Sequence, residues 1–213
     1  ALLNDGKYLG AKVVAATARQ YETTYAAHIL GIVGDLSPED KENPDYADYP
    51  GDATVGQSGV ERAFEKYLHG VNGVRIVSTN SDGKITGEYY KAEPQPGSTV
   101  ELTIDLNLQQ FTEDALAAAV ARMNAEDGDL TRGAAAAVVR VGTGEVLSLA
   151  SYPTYDLATY RRDFNTLLAD PGTPMVNRAT QGLYPPGSTL KPLTAVAALE
   201  TGKVACYVTD FPN

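Results

Sequence analysis

The sequence predicts an α+β protein, and three observations carry this prediction. Residues 1–34 alternate β-favouring and polar positions, and residues 73–104 are β-rich and punctuated by turns, which is typical of strands and hairpins. The run after Asp105 places apolar side chains at helical spacing until Gly128, and these two residues are of the types that begin and end helices. Residues 133–153 again favour strands.

The composition is that of a globular protein. With 213 residues, of which 43% are hydrophobic, the chain can bury a core and form one or two domains. Its formal net charge of −10 argues against nucleic acid or an anionic membrane surface as a partner, since both require clustered Lys and Arg. No apolar run approaches the ~20 residues that span a bilayer. Cys206 is the single cysteine, so an intrachain disulfide is excluded and a buried thiol is expected.

The N-terminal part is predicted to be β-rich, with two short helical segments. Residues 26–34, "AAHILGIVG", favour a helical turn between strands. Residues 35–52 are rich in Asp, Glu and Pro, which predicts a solvated loop or a mobile excursion. Ser58 with Glu61 three residues later predicts a capping box, which opens an amphipathic helix that closes at Gly70.

A β-hairpin and a domain boundary are predicted next. The Asp-Gly pair at residues 82–83 lies between two β-rich runs and is typical of a hairpin turn. A Pro-Gly kink at residues 96–97 ends the β-rich region. We therefore predict one domain over residues 1–100 and a second over residues 101–213.

The second domain begins with a long helix that we expect to pack on a sheet. The residues predicted to form its packed face are Leu108, Phe111, Ala115, Ala119 and Met123. Two strands rich in small residues follow, joined by a turn at residues 142–144. Residues 154–182 show no clear period and are predicted to be an irregular excursion.

The strongest candidate for chemistry is a serine and a lysine three residues apart, Ser188 and Lys191. They follow Pro185, Pro186 and Gly187, which interrupt the preceding structure, and they precede an apolar pattern at helical spacing that stops at Gly202. Ser188 is therefore predicted to open a helix. Positions three apart share a helix face, so the lysine amine can reach back to the hydroxyl.

A second Ser-x-x-Lys pair is predicted to be a coincidence. Ser81 and Lys84 flank the Asp-Gly pair of the predicted hairpin turn, which leaves both side chains in solvent. About one such pair is expected by chance in a chain of this length. The proline-rich entry and the helix that follows distinguish the pair at residues 188–191 from this one.

Five segments follow one another in a diagnostic order along the chain: "AAHILGIVG", "VGQSGVERAFEKYLHGVNG", "PGSTVELTIDLNLQQ", "GEVLSLASYPTYD" and "NRATQGLYPPGSTLKPLTAVAALETGKV". Their order resembles that of the class B penicillin-binding proteins, and the form "YPPGST" is more similar to the elongation type than to the division type. The resemblance implies that residues 1–100 form a non-catalytic pedestal domain. It also implies that residues 101–213 form the N-terminal part of a transpeptidase domain.

The resemblance further implies a peptidoglycan D,D-transpeptidase that cross-links cell-wall stem peptides through a serine acyl-enzyme. Ser188 would be the nucleophile, Lys191 its general base, and the Ser188 N–H one donor of an oxyanion hole. Asn177 and Arg178 resemble family positions that we expect to be structural. No cofactor is implied, and no metal is expected, because His28 and His69 have no second ligand at i+3 or i+4.

The implied partners are stem peptides ending in D-Ala-D-Ala, β-lactams, and membrane proteins of the cell-wall elongation machinery. The implied location is the extracytoplasmic face of a bacterial cell membrane, reached through an upstream anchor. Two alternatives stay open from the residues. The Ser-x-x-Lys helix could belong to a serine β-lactamase or β-lactam sensor, or the chain could be a non-catalytic scaffold that docks cell-wall synthesis partners.

The sequence departs from the family pattern after the Ser-x-x-Lys motif. The family's Ser-x-Asn and Lys-Thr-Gly motifs do not follow Lys191, and the literal Ser78-Thr79-Asn80 precedes it in the wrong order. We therefore expect the 213-residue chain alone neither to cross-link peptidoglycan nor to bind penicillin appreciably.

Overall fold

The computed structural model describes residues 19–81, 85–128 and 131–203. Helices and antiparallel strands both occur, which confirms the predicted α+β class. The chain divides into two compact units, Ala1–Gln181 and Gly182–Asn213. The predicted boundary near residue 100 stays a prediction. The predicted turn at Asp82-Gly83, Lys84 and the thiol of Cys206 lie outside the described residues.

The first described elements form a small sheet beside a helical turn. Helix α1 spans Ala27–Leu30, which confirms the helical turn predicted over residues 26–34. Strand β1, Val33–Asp35, pairs antiparallel with β2, Thr54–Gly56, with Gly34 opposite Val55.

The acidic segment between β1 and β2 contains local structure and buried side chains that the sequence did not predict. It contains two short 3₁₀ turns, Asp40–Glu42 and Pro44–Tyr46. Its charged residues are mostly exposed, as expected, but Leu36 and Tyr46 are buried against Ala53 and Val55. The predicted solvated loop is therefore confirmed, with the addition that two apolar side chains anchor the segment to a core, and its mobility stays a prediction.

The predicted capping box is also wrong. Ser58 does occupy the N-cap of helix α2, Gly59–Ala63, but its Oγ accepts the Ile32 N–H at 3.2 Å instead of capping α2. Glu61 pairs with Arg19 at 2.8 Å. The single helix predicted to run to Gly70 is two short ones, because the chain breaks at Phe64 before helix α3, Glu65–Leu68.

The predicted hairpin after α3 is confirmed. Strand β3, Val74–Thr79, pairs antiparallel with β4, Ile85–Ala92, and Ile76 lies opposite Tyr89. Every residue of both strands is exposed. The two faces of this hairpin are therefore both open to solvent.

The long helix α4 spans Leu106–Asp127 and begins and ends as predicted. The Asp105 Oδ1 accepts the N–H groups of Asn107 and Leu108 at 3.0 and 3.1 Å, and Gly128 follows the helix with φ 77°. A second hairpin follows, in which strand β5, Ala134–Val139, pairs with β6, Val146–Tyr152. Gly142 and Gly144 in its turn have φ 94° and 78°, which is the region that favours glycine.

Helix α4 packs against β6 as predicted, but on a different face. Phe111 is 70% exposed and Met123 44%, whereas Gln109, Glu113 and Val120 are buried. Hydrogen bonding decides which face of α4 is buried against β6, because the side-chain amide of Gln109 pairs with the backbone of Leu149 on that strand.

The segment predicted to be an irregular excursion contains two helices. Helix α5 spans Tyr160–Ala169 and helix α6 spans Arg178–Gln181. The segment is held by an apolar cluster in which Tyr155 and Leu157 pack on Ala27 of α1. The prediction failed because this order comes from contacts with a distant part of the chain.

The second unit contains the predicted nucleophile segment. A 3₁₀ turn, Gly187–Leu190, leads directly into helix α7, Lys191–Glu200. Among the helices of the described ranges, none combines the length and the apolar character that a membrane crossing requires.

Candidate active site

The structure places Ser188 and Lys191 one helical turn apart. The N–H of Lys191 donates to the C=O of Ser188, which is the i to i+3 bond of a 3₁₀ turn. Ser188 was predicted to open the helix, and it does so in a 3₁₀ turn, with the α-helix itself beginning at Lys191.

The entry to this turn is sharp for a local reason. Gly187 has φ 54°, in the left-handed region that glycine adopts readily. Pro186 precedes it, and its C=O accepts both the N–H of Thr189, at 3.2 Å, and the Thr189 hydroxyl. The Pro-Pro-Gly segment therefore makes the chain turn immediately before Ser188.

The two candidate groups are accessible. The side chains of Ser188 and Lys191 are both exposed, and within residues 131–203 and the other described ranges neither makes a side-chain hydrogen bond or ion pair. The N–H of Ser188 is likewise free of a hydrogen bond in the part of the chain that the structure describes. An N–H at the start of a helical segment can serve an oxyanion.

The far end of α7 confirms the predicted stop. Gly202 has φ 65°, its N–H donates to Leu199 at 3.0 Å, and the N–H of Lys203 donates to Ala198 at 3.1 Å. This pair of bonds is a Schellman motif. Pro192 lies in the first turn, where its missing N–H costs least.

Asn177 and Arg178, predicted to be structural, make structural contacts. The Arg178 guanidinium donates to the C=O and the Oγ1 of Thr173 at 3.0 and 2.7 Å, and to the C=O of Gly172. A Cβ on Gly133 would meet the Arg178 side chain, so a larger residue there would displace the guanidinium from these contacts. The Asn177 amide contacts His28 and Ser151.

Sequence reasoning missed a buried polar network between α4 and β6. The Gln109 Oε1 accepts from the Ser148 hydroxyl at 2.9 Å and from the Leu149 N–H at 2.7 Å. Its Nε2 donates to the Leu149 C=O at 2.9 Å and to Glu113 at 2.7 Å. Glu113 also accepts the N–H of Ala26, at 2.8 Å, next to α1. The sequence did contain a signal for this network: Gln109 and Glu113 lie four residues apart on a predicted helix, and the strand predicted to pack near it contains Ser and Ala.

Burial changes the titration of two groups beside α1. Burial lowers the pKa of His28, whose Nε2 lies 2.7 Å from the C=O of Pro174, so this nitrogen carries the proton and donates. Burial also raises the pKa of Tyr155 to about 12, and the two rings meet edge to face at 5.2 Å. Among the described residues, no group of three or more His, Cys, Asp or Glu could hold a metal ion.

Two family matches cover most of the chain. Residues 3–102 match the penicillin-binding protein dimerisation domain, and residues 134–209 match the penicillin-binding protein transpeptidase domain. This chain belongs to the penicillin-binding proteins. The prediction of a class B member of the elongation type is confirmed.

The curated relatives of this penicillin-binding protein are longer than the chain itself. Peptidoglycan D,D-transpeptidase MrdA of Escherichia coli (strain K12) is 37% identical over 221 residues, 98% of this chain and 32% of the relative. The MrdA protein of Salmonella typhimurium (strain SL1344) is 32% identical over 219 residues, 98% of this chain and 33% of the relative. The chain thus spans about a third of the length of these relatives.

Solved structures of penicillin-binding proteins and their complexes share the fold. A structure described as structural coordination of polymerization and crosslinking by a peptidoglycan synthase complex is similar with TM-score 0.75 and 35% identity. The match covers 90% of this chain and 34% of the chain in that structure. The complex between penicillin-binding protein PBP2 and MreC from Helicobacter pylori gives TM-score 0.63 and 26% identity, covering 85% of this chain and 32% of that one.

Proposed function

We propose that this chain carries the acylating serine of a peptidoglycan D,D-transpeptidase, which cross-links stem peptides of the bacterial cell wall. The observation that supports this proposal most directly is Ser188 one turn before Lys191, at the start of α7. Both residues lie within the stretch that matches the transpeptidase domain.

The geometry suits acyl transfer in two steps. The Ser188 Oγ attacks the carbonyl of the penultimate D-Ala of a stem peptide, and the Lys191 amine takes the hydroxyl proton. The free Ser188 N–H donates to the developing oxyanion. The C–N bond then breaks, D-Ala leaves with a proton on its amine, and an amine of a neighbouring stem takes the acyl group. β-Lactams mimic the donor peptide and acylate the same oxygen.

The described residues supply only part of such a site. Neither candidate side chain is buried or hydrogen-bonded within the described ranges. A lysine that accepts a proton needs burial or a nearby cation to favour its neutral form. We therefore expect the 213-residue chain alone to form no adduct with penicillin, and the full gene product to form one.

Penicillin labelling followed by intact mass measurement tests the proposal. The full gene product should gain the mass of one penicillin, a digest should place this label on the peptide that contains Ser188, and Ser188→Ala should remove the gain. Ser81→Ala, in the other Ser-x-x-Lys pair, is the matched control and should label normally. An unlabelled wild-type protein, or a label that survives Ser188→Ala, contradicts the assignment.

The alternatives are less well supported. A serine β-lactamase or sensor does not require a dimerisation domain, whereas residues 3–102 match one. The lifetime of the penicillin adduct separates a β-lactamase from a transpeptidase, because a β-lactamase hydrolyses its acyl-enzyme rapidly whereas a transpeptidase releases it slowly.

We also propose a docking role for the region that matches the dimerisation domain. Ile76 and Tyr89 lie opposite one another on the exposed β3–β4 hairpin and are 36% and 60% exposed. Apolar side chains on an open hairpin are typical of an interaction surface. Membrane proteins of cell-wall elongation are the proposed partners, met at the extracytoplasmic face of the cell membrane. Loss of co-purification on Tyr89→Ala, with labelling of Ser188 unchanged, tests this role.

A further inference from the structure

Strand β1 pairs on one side only with the strands that the structure describes, because its sheet consists of β1 and β2. At one end of this ladder, the N–H of Gln57 donates to the C=O of Ile32 at 2.8 Å. At the other end, the N–H of Leu36 donates to the C=O of Ala53 at 3.0 Å. Hydrogen-bonding direction alternates along an antiparallel strand, so the backbone groups of residues 33 and 35 point away from β2, toward the open edge.

This open edge carries backbone groups that a further strand could use. Within the described ranges of the chain, the N–H and C=O of Val33 and the N–H of Asp35 make no hydrogen bond. The C=O of Asp35 accepts from the Gln57 Nε2 at 3.3 Å, so a side chain already occupies the far end of the edge. Two donors and one acceptor therefore remain, and such a row is a template for pairing with another extended chain.

A groove lies along this edge, between β1 and α5. Its volume is about 560 Å³, and its lining includes residues 32–35 and, from α5, Tyr160, Arg161 and Phe164. The described lining contains no residue of β2, which places the groove on the side of β1 away from that strand. Phe164 is 39% exposed, and its ring meets that of Tyr160 edge to face at 5.7 Å. The groove thus offers an aromatic surface beside the unpaired backbone groups.

The groove also carries a positive charge without an acidic partner. Arg161 is exposed and forms no ion pair with any described residue, whereas the neighbouring Arg162 pairs with Asp163 at 2.8 Å. Arg161 also lines an adjoining cavity of about 520 Å³, together with Arg19 and Tyr21. Burial raises the pKa of Tyr21 and the two guanidiniums oppose this shift, so both lie within electrostatic reach of its hydroxyl. An acidic side chain is the complement of this end of the groove.

We propose that the open edge of β1 binds an extended, acidic segment of a partner protein as a third strand, in the groove between β1 and α5. The segment bonds through its backbone to Val33 and Asp35. An apolar side chain rests on Tyr160 and Phe164, and an acidic one pairs with Arg161. The chain as a whole has a formal net charge of −10, so this local positive charge directs the acidic segment to the groove. The surface shares no residue with hairpin β3–β4, and its occupancy does not depend on the proposed acyl transfer.

Fluorescence anisotropy with a panel of short labelled peptides tests the proposal on the full gene product. Each peptide alternates Val and Thr and carries one Glu, whose position is moved along the sequence from one peptide to the next. Each has a counterpart with Gln in place of Glu, and another with N-methyl groups on alternate amides. The wild type should bind a Glu peptide more tightly than its Gln counterpart, and N-methylation of the amides that face β1 should abolish binding, because it removes the backbone donors.

Four variants with matched controls locate the contacts. Arg161→Ala should weaken binding about three- to fivefold, and less at high salt, whereas Arg162→Ala should not change it. Asp35→Pro removes an N–H that points away from β2, where an edge strand tolerates proline. It should bind about 3- to 10-fold more weakly than Asp35→Ala, which keeps that N–H. Thermal unfolding of each variant verifies that it is folded, and Tyr89→Ala, on the other exposed surface, should bind as the wild type does.

Each contrary result overturns the proposal. If the wild type binds no peptide of the panel, the third-strand site is wrong, whether or not penicillin labels Ser188, so this failure is separate from a failure of the proposed function. Equal affinities of Arg161→Ala and Arg162→Ala, or undiminished binding of the N-methylated peptides, would also overturn it. Self-association of the wild type that Arg161→Ala removes in sedimentation would make a second copy of the chain the occupant, and would overturn the choice of partner.

Discussion

The two long hairpins of the larger unit, β3–β4 and β5–β6, differ in burial, and the hydrophobicity of their residues does not predict which one is more buried. Hairpin β3–β4 carries large apolar side chains, including Tyr89 and Tyr90, and every residue of its two strands is exposed. Hairpin β5–β6 is built mainly from Ala, Val and Ser, and its Ser148 and Ala150 are fully buried. The hairpin with the smaller side chains is the one that has a buried strand, β6.

The difference teaches that close approach and hydrogen bonding decide which hairpin is covered. Small side chains on β6 let α4 approach, and the Gln109 amide then pairs with the N–H and C=O of Leu149, as a neighbouring strand would. Hairpin β3–β4 has no such partner among the described elements. Its exposed apolar residues instead suit the docking role proposed above.

The largest effect is expected when the polar contact of the buried hairpin is removed. Gln109→Leu leaves the Ser148 hydroxyl, the Leu149 backbone groups and part of Glu113 without their partner in a buried site. The free energy of unfolding should fall by about 3 to 5 kcal/mol. Urea unfolding of the purified protein measures it, and the neighbouring exposed Gln110→Leu should cost less than about 0.5 kcal/mol. Equal losses at both positions would contradict the role of the amide.

A second prediction places the same substitution in both hairpins. Ala150 on β6 is completely buried, so Ala150→Leu should lower the free energy of unfolding by about 1 to 3 kcal/mol through overpacking. Ala92 on β4 is exposed, so Ala92→Leu should change it by less than about 0.5 kcal/mol. A tolerated leucine at residue 150 would show that α4 does not approach β6 closely.

Burial of His28 in α1 predicts that the free energy of unfolding depends on pH. Burial lowers the pKa of His28 in the folded protein, so the unfolded state binds its proton first as the pH falls. The free energy of unfolding should therefore be highest above the ordinary histidine pKa of about 6.5, and it should decrease as the pH falls below that value. His28→Gln keeps a donor for Pro174 and should flatten this part of the profile. An unchanged slope in that variant would assign the effect to another group.

The smallest change in stability is expected in the exposed hairpin. Tyr89 is 60% exposed, so Tyr89→Ala should alter the free energy of unfolding by less than about 0.5 kcal/mol. Thermal unfolding of the variant and the wild type checks this. A loss of more than about 2 kcal/mol would mean that β3–β4 is covered in the protein, and the comparison of the two hairpins would fail.

Features that depend on neighbouring residues were predictable from the sequence, and features that depend on contacts between distant residues were not. Asp105 and Gly202 act within one turn of their own helices, so residue type and position were enough to predict both ends. Ser58 had an equally good local signal, but the Ile32 N–H, a distant backbone donor, takes its hydroxyl. Helix α5 and the buried face of α4 depend in the same way on residues far along the chain.

The same distinction between local and long-range contacts applies to the candidate site. The one-turn spacing of Ser188 and Lys191 follows from the sequence, because a helical start was predicted from the Pro-Pro-Gly entry. The contacts of Asn177 with α1 and β6 could not be predicted, since they join residues more than 100 positions apart as well as closer ones.

Release of D-Ala from a pentapeptide stem tests the central claim most directly. Incubated with a donor stem and an acceptor amine, the full gene product should release one D-Ala for each cross-link formed, and Ser188→Ala should release none while keeping the wild-type unfolding midpoint. Release of D-Ala by a folded Ser188→Ala protein at the wild-type rate would contradict the account.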